Sequence, residues 1–148
     1  ERGFLALSVG ISVGAEVILI PEKKCKVESI LEVISENTRK GKKAGIIVAA
    51  EGVGDTAAIA KEIEKHTSFE VRLSILGYAQ RGGSPTARSR FLASIFAEKA
   101  VELLCQEKGN KVVGLQGGAV ASMDITKSCQ TEKPLDLRLM KLAEMLAT

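Results

Sequence analysis

The sequence predicts an α/β domain: a mainly parallel sheet with helices on both faces, a Rossmann-like three-layer arrangement. Three observations lead there. Short apolar runs rich in β-branched residues alternate with segments of helical period. Runs such as "AGIIVAAE" are apolar at successive positions, as in strands covered on both faces. Strands separated by single helices call for right-handed crossovers and therefore parallel neighbours. With 148 residues the chain has the size of one domain, and a chain of that size can withdraw roughly 68–70% of its unfolded surface from water.

In chain order, "GFLALSVGISVGAEVILI" is read as a buried helix followed by a buried strand, "EVILI", over residues 16–20. Glu16 interrupts the apolar stretch before it is long enough to span a bilayer. No basic segment precedes it as in a secretory leader. Residues 27–39 place Ile30, Leu31 and Ile34 on one helical face, and residues 44–51 give a second, fully buried strand. Asp55 caps a helix through Glu64, in which Ala58, Ile59, Glu62 and Ile63 follow the 3.6-residue rhythm. "EVRLSIL", residues 70–76, is a third strand. Ser84 is expected to cap a long helix with Pro85 in its first position, stopped by Gly109. "KVVGLQ" and "GGAVASMD" form a strand and a short return strand, and residues 135–146 a closing amphipathic helix. Glu1 opens almost directly into apolar sequence with no capping residue, the mark of a chain that continues upstream.

Composition narrows the function. The net charge of +3 and the 3% aromatic content with no Trp argue against nucleic acid, which needs a basic footprint and stacking platforms. Cys25, Cys105 and Cys129 are odd in number and form no CxxC, which fits a reducing, cytoplasmic setting without disulfides or a thiolate metal site. The single histidine, His66, near a helix end, reads as structural. No Ser or Cys stands in a nucleophile context, so covalent hydrolysis is disfavoured and no catalytic residue is assigned in this chain.

In parallel sheets ligands gather at the carboxyl ends of strands, which selects Pro21-Glu22, Glu51-Gly52 and residues 77–84. The stretch "LGYAQRGGSP" can form a seat for a phosphate or carboxylate. Paired glycines let backbone amides converge, a helix begins just beyond, and Arg81 adds a forked cation. It reads equally as a Gly-Gly turn with a solvated Arg. Glu51 is either an acceptor for ligand hydroxyls or a solvated strand end. Arg72 is either an outward strand residue with an ion-pair partner or a ligand contact. The cluster "RKGKK", residues 39–43, equally fits cations at a helix C-terminus.

Taken together, "PE" at Pro21-Glu22, "KGKK" over residues 40–43, Glu51, Arg72 and above all "LG-x-x-QRGGSP" resemble the C-terminal half of the 6-phosphofructokinases in order and spacing, from the first residue to the last helix. The resemblance implies a fructose 6-phosphate site. In it Glu51 binds sugar hydroxyls, Arg81 grips the 6-phosphate, Tyr78 stands where many members place a phosphate-contacting histidine, and Arg72 reaches into a neighbouring subunit's site. It further implies an effector site at Glu16, Lys40, Lys42 and Lys43, with Glu16 helping to hold an effector-bound Mg2+. Ser89 departs from the family, which has Asp in "ARDR". The family's nucleotide phosphate loop, catalytic Asp and Met-Gly-Arg sugar motif would all lie upstream. The implied partners are therefore the missing N-terminal half and further copies in a homo-oligomer, and the donor is ATP with Mg2+, or pyrophosphate. A non-catalytic module for phosphate ligands is the reading from another class.

Overall fold

The computed structural model describes residues 2–147; Glu1, read above as an uncapped opening, lies outside the described residues. The elements run α1 (Phe4–Val13), β1 (Val17–Leu19), α2 (Val27–Arg39), β2 (Ile47–Ala49), a 3₁₀ turn (Glu51–Val53) and α3 (Thr56–His66). A second 3₁₀ turn (Gly77–Arg81), α4 (Ala87–Cys105), β3 (Lys111–Gln116), β4 (Ala119–Asp124), α5 (Ile125–Gln130) and α6 (Arg138–Leu146) follow. The chain divides into two units: one holds everything up to Ile75 together with the segment from Pro134, the other Leu76–Lys133.

In the first unit β1 and β2 pair in parallel, Val17 opposite Ile47 and Leu19 opposite Ala49, joined through α2. Alternation along β1 separates two cores, as the two-residue period of a strand requires. Ile18 and Ile20 face Leu7 of α1 and Met140 and Ala143 of α6. Leu19 faces Ile30 of α2 and Ile63 of α3. Helices thus cover both faces of the parallel pair, the predicted three layers.

Helix α1 lies close on β1 and on Ile20 just beyond it because Gly3, the residue before the helix, and Gly10 within it lack a Cβ. A methyl on Gly3 would stand 2.5 Å from Cγ2 of Ile20, and one on Gly10 would strike Cδ1 of Ile18. The helix has no side-chain cap of its own. Instead both carboxylate oxygens of Glu22 accept from the Gly3 N–H at 3.1 Å, placing an anion at the positive end of the helix dipole. That hydrogen bond, ahead of the Arg2 charge, holds the Glu22 carboxyl below its usual range.

The parallel sheet is smaller than expected. Residues 70–76 form no strand, because among the described residues the backbone of 70–75 finds no hydrogen-bonding neighbour. Leu73 and Ile75 of this apolar run are exposed. β2 consequently has one paired edge, and its residues are half-buried or exposed where full burial was expected.

The second unit is built on the antiparallel hairpin β3–β4, in register from Lys111 opposite Asp124 to Gln116 opposite Ala119. Helix α4 begins later and ends earlier than its sequence signals indicated. Thr86, not Ser84, is the cap: its hydroxyl accepts from the Ser89 N–H at 3.2 Å, and Pro85 precedes the helix. At the far end Lys108 N–H bonds to Leu103 C=O and Glu107 N–H to Leu104 C=O, both at 2.9 Å. This closing motif places Glu107 in the left-handed region at φ 56°, a position that favours glycine. Asp124 ends the hairpin and caps α5, a helix the sequence reading missed, accepting from Thr126 N–H at 3.0 Å.

Candidate functional site

The residues singled out from the sequence fall into two groups, one in each unit. In the first unit the loop from α2 to β2 folds back onto the start of β1. Glu16 receives the Ile46 N–H on one oxygen at 2.6 Å and Lys42 Nζ on the other at 3.4 Å. Lys42 Nζ also donates to the Ala147 carbonyl at 2.5 Å, tying the chain beyond α6 to this loop. Glu16 and Lys42 are partly shielded, with side chains 14% and 29% exposed, so their attraction is less screened than that of a surface pair.

This pair opens onto a cavity of about 390 Å³ between β2, α2, α3 and the segment after α3. Lys43 and Arg72 line it with Glu16 and Lys42, over an apolar floor that includes Ile34 and Ile59. Lys40 is not among the lining residues; it reaches back along α2 to Glu36 at 3.0 Å. That contact holds the Glu36 carboxyl below its usual range. The lysine cluster expected as one set is therefore divided, Lys42 and Lys43 on the cavity and Lys40 on the helix.

Arg72 lies in irregular backbone, not in a strand. Its side chain is 83% exposed, and its Nε donates to Glu70 at 3.0 Å, a partner two residues away that the sequence reading did not identify. Glu51 opens the 3₁₀ turn after β2, exposed and outside the lining of the cavity. His66 accepts its expected structural place, its Nδ1 2.9 Å from the Glu62 carbonyl one turn back in α3.

In the second unit Tyr78 and Arg81 come together within the turn Gly77–Arg81. The guanidinium carbon of Arg81 lies 5.0 Å from the centre of the Tyr78 ring. The turn is entered through Gly77 at φ 51° and left through Gly82 at φ 85°, both in the left-handed region. Those angles account for two of the three glycines in "LGYAQRGG". The N-terminus of α4 follows after Thr86.

The fit of a resident divalent cation can be judged from the donors. Among the described residues no three His, Cys, Asp or Glu side chains converge. Glu16, the one carboxylate at the cavity named for such a role, is already engaged by Lys42 and the Ile46 amide. Magnesium binds through one or two carboxylates together with phosphate oxygens, so these residues do not by themselves form a site for it. No described helix is long and apolar enough to cross a membrane.

Comparison with known proteins is consistent along the whole chain. The phosphofructokinase family model matches residues 1–104. The ATP-dependent 6-phosphofructokinase of Brevibacillus brevis is 42% identical over 147 residues, covering 99% of this chain and 46% of that protein. The protein of the same name from Clostridium botulinum is 43% identical over 145 residues, 98% of this chain and 46% of its own length. The chain thus spans about half the length of the curated relatives it matches. Among solved structures, phosphofructokinase from Saccharomyces cerevisiae superposes with a TM-score of 0.82 at 25% identity, covering 98% of this chain and 23% of that one. The T-state enzyme of Pichia pastoris, at 20% identity and a TM-score of 0.77 over 98% of this chain and 18% of its own, agrees in fold. The chain belongs to the phosphofructokinase family.

Proposed function

We propose that this chain is the C-terminal, fructose 6-phosphate-binding region of an ATP-dependent 6-phosphofructokinase. The observation that carries the proposal is the turn Gly77–Arg81, in which the Arg81 guanidinium stands over the Tyr78 ring and whose chain leads on through Thr86 into α4. A fixed, forked cation followed by a helix N-terminus is chemistry suited to a phosphate dianion. Arg81 grips the 6-phosphate with Tyr78 beside it. Glu51, exposed at a strand end, accepts from sugar hydroxyls. Arg72, exposed and paired with Glu70, serves a neighbouring subunit in a homo-oligomer.

In the intact enzyme the sugar's 1-hydroxyl attacks the terminal phosphorus of the nucleotide, its oxygen forming the new bond to phosphorus as the bond to ADP breaks. Phosphoryl transfer of this kind depends mainly on positioning and electrostatic stabilisation. This chain supplies the positioning of the acceptor, and the base and the nucleotide phosphate loop belong to the other half of the polypeptide. A nucleotide-bound Mg2+ would supply neutralisation of phosphate charge, and the described residues of this chain do not form a site for it. The cavity lined by Glu16, Lys42 and Lys43 takes the phosphates of an effector; Lys40, turned toward Glu36, stands outside this set until that pair opens.

The test is Arg81→Ala in the full-length enzyme carrying this segment. The KM for fructose 6-phosphate rises with a smaller effect on kcat, as for an interaction made in both ground and transition states. An unchanged KM would remove Arg81 from the site. Fructose 1,6-bisphosphate production by the 148-residue chain alone would overturn the division of labour.

A further inference from the structure

Resting on the reading of Arg81 as the phosphate grip, we infer that Tyr78 acts through Arg81: its ring is the platform that orients the guanidinium, and its hydroxyl is not the working group. The backbone sets this geometry. A 3₁₀ turn has three residues per turn, so side chains at i and i+3 stand one above the other. Tyr78 and Arg81 are three apart within the turn Gly77–Arg81. An α-helical turn would offset them. The glycines at both ends, at φ 51° and 85°, confine the tight winding to these five residues.

The stacking has a chemical consequence. With its Cζ 5.0 Å from the ring centre, Arg81 engages the aromatic π-system. Because a ring contact engages the cation without accepting from its N–H groups, those donors remain available for forked bonding to phosphate. Arg72 shows the contrast, since its ion pair with Glu70 occupies Nε. Tyr78 is 82% exposed, so the contact restrains Arg81 while both side chains stay open to solvent. A charged partner would restrain Arg81 too, but would compete with the phosphate for the same donors.

These 148 residues contain one Tyr and no Trp, so within this segment tyrosine emission reports on Tyr78, and the Tyr78→Phe difference isolates it. The experiment titrates fructose 6-phosphate, inorganic phosphate and unphosphorylated fructose into the full-length enzyme carrying this segment, following the emission that wild type shows and Tyr78→Phe lacks. Calorimetry measures fructose 6-phosphate affinity in wild type, Tyr78→Phe, Tyr78→Leu, Arg81→Ala and the Tyr78→Leu/Arg81→Ala double variant. Both phosphate-bearing ligands are expected to change the emission and fructose to leave it as it was. Tyr78→Leu weakens binding about two- to fivefold, the scale of an exposed cation–π contact. Tyr78→Phe, which keeps the ring, restores most of that loss. In the Arg81→Ala background Tyr78→Leu costs nothing more. Should Tyr78→Phe lose as much as Tyr78→Leu while Arg81→Ala also binds weakly, the hydroxyl is the working group; the inference then falls and the phosphate-grip reading stands. Should Arg81→Ala bind like wild type, or neither phosphate ligand bind or alter the emission, the grip itself is refuted and the inference with it.

Discussion

Replacing Gly3 with Ala tests how closely α1 must approach β1. The added methyl would stand 2.5 Å from Cγ2 and 2.6 Å from Cβ of Ile20, and 2.7 Å from a carboxylate oxygen of Glu22. Cβ of a β-branched strand residue cannot rotate away, so the helix must lift or Glu22 must leave the Gly3 amide. Overpacking of this kind costs about 1–3 kcal/mol, and at the helix boundary alanine gains little in return. The corresponding change at Gly10 is milder for two reasons. Its methyl meets the outer atoms of the Ile18 side chain, and inside a helix alanine recovers about 1 kcal/mol relative to glycine. The expected order of stability is wild type, then Gly10→Ala, then Gly3→Ala. The last should lower Tm by about 2–12 °C on the scale of about 2–4 °C per kcal/mol. Thermal denaturation followed by circular dichroism measures it. A Gly3→Ala variant within 0.5 kcal/mol of wild type on the usual surface-substitution scale, or less destabilised than Gly10→Ala, would refute the close-approach argument.

Other consequences can be checked alongside. Glu22 has a lowered native carboxyl pKa, so its contribution to stability is complete above the ordinary glutamate range and is lost as pH falls through the lowered value; Glu22→Gln should flatten that part of the acid denaturation profile. Thr86→Ala removes the α4 cap and should cost about 0.5–2 kcal/mol, with Thr86→Ser retaining most of it, by denaturant titration. Glu107→Gly should stabilise the end of α4 by about 1 kcal/mol, because it relieves a left-handed residue bearing a Cβ; slower exchange of the Lys108 amide is the local readout. Lys42→Met releases the Ala147 carbonyl and should speed amide exchange in the last turn of α6, while binding of a nucleotide effector at the cavity weakens.

The layers of the first unit were legible because strand and helix periods differ. The run "EVILI" with helical faces on either side was enough to predict a covered parallel strand, and α2 falls on the predicted residues, Val27–Arg39. Asp55 likewise announced α3 through a local hydrogen bond, made with Ala58 N–H at 2.9 Å. The third strand was less legible because β character in "EVRLSIL" describes half of a ladder, and a ladder needs a neighbour's donors and acceptors. The ends of α4 went astray through choices among adjacent candidates. Ser84 and Thr86 both suit a cap, and Gly109 drew the boundary away from Glu107, which takes the left-handed position despite its side chain. At the site, "QRGGSP" carried the signal for Arg81. The ring beneath it depended on three-residue winding, which the residue types alone did not reveal. Glu70 stands two residues from Arg72, the spacing that shares one face of a strand, so this partner was legible in the predicted strand and was passed over.

Among the described residues, Leu103, at 7% exposure, is the one buried hydrophobic residue of the unit Leu76–Lys133. The unit's other apolar side chains are half-buried or exposed, so the described residues give it few buried contacts against local opening. The turn that presents Arg81 therefore belongs to the softer part of the molecule. Amides of the hairpin and of this turn should exchange through small openings, those of β1 only through loss of both cores. Any ligand held at Arg81 adds its binding free energy to the ordering of that unit. Occupancy and local folding then rise and fall together, and slower exchange around Arg81 would register saturation of the site without any chemical turnover.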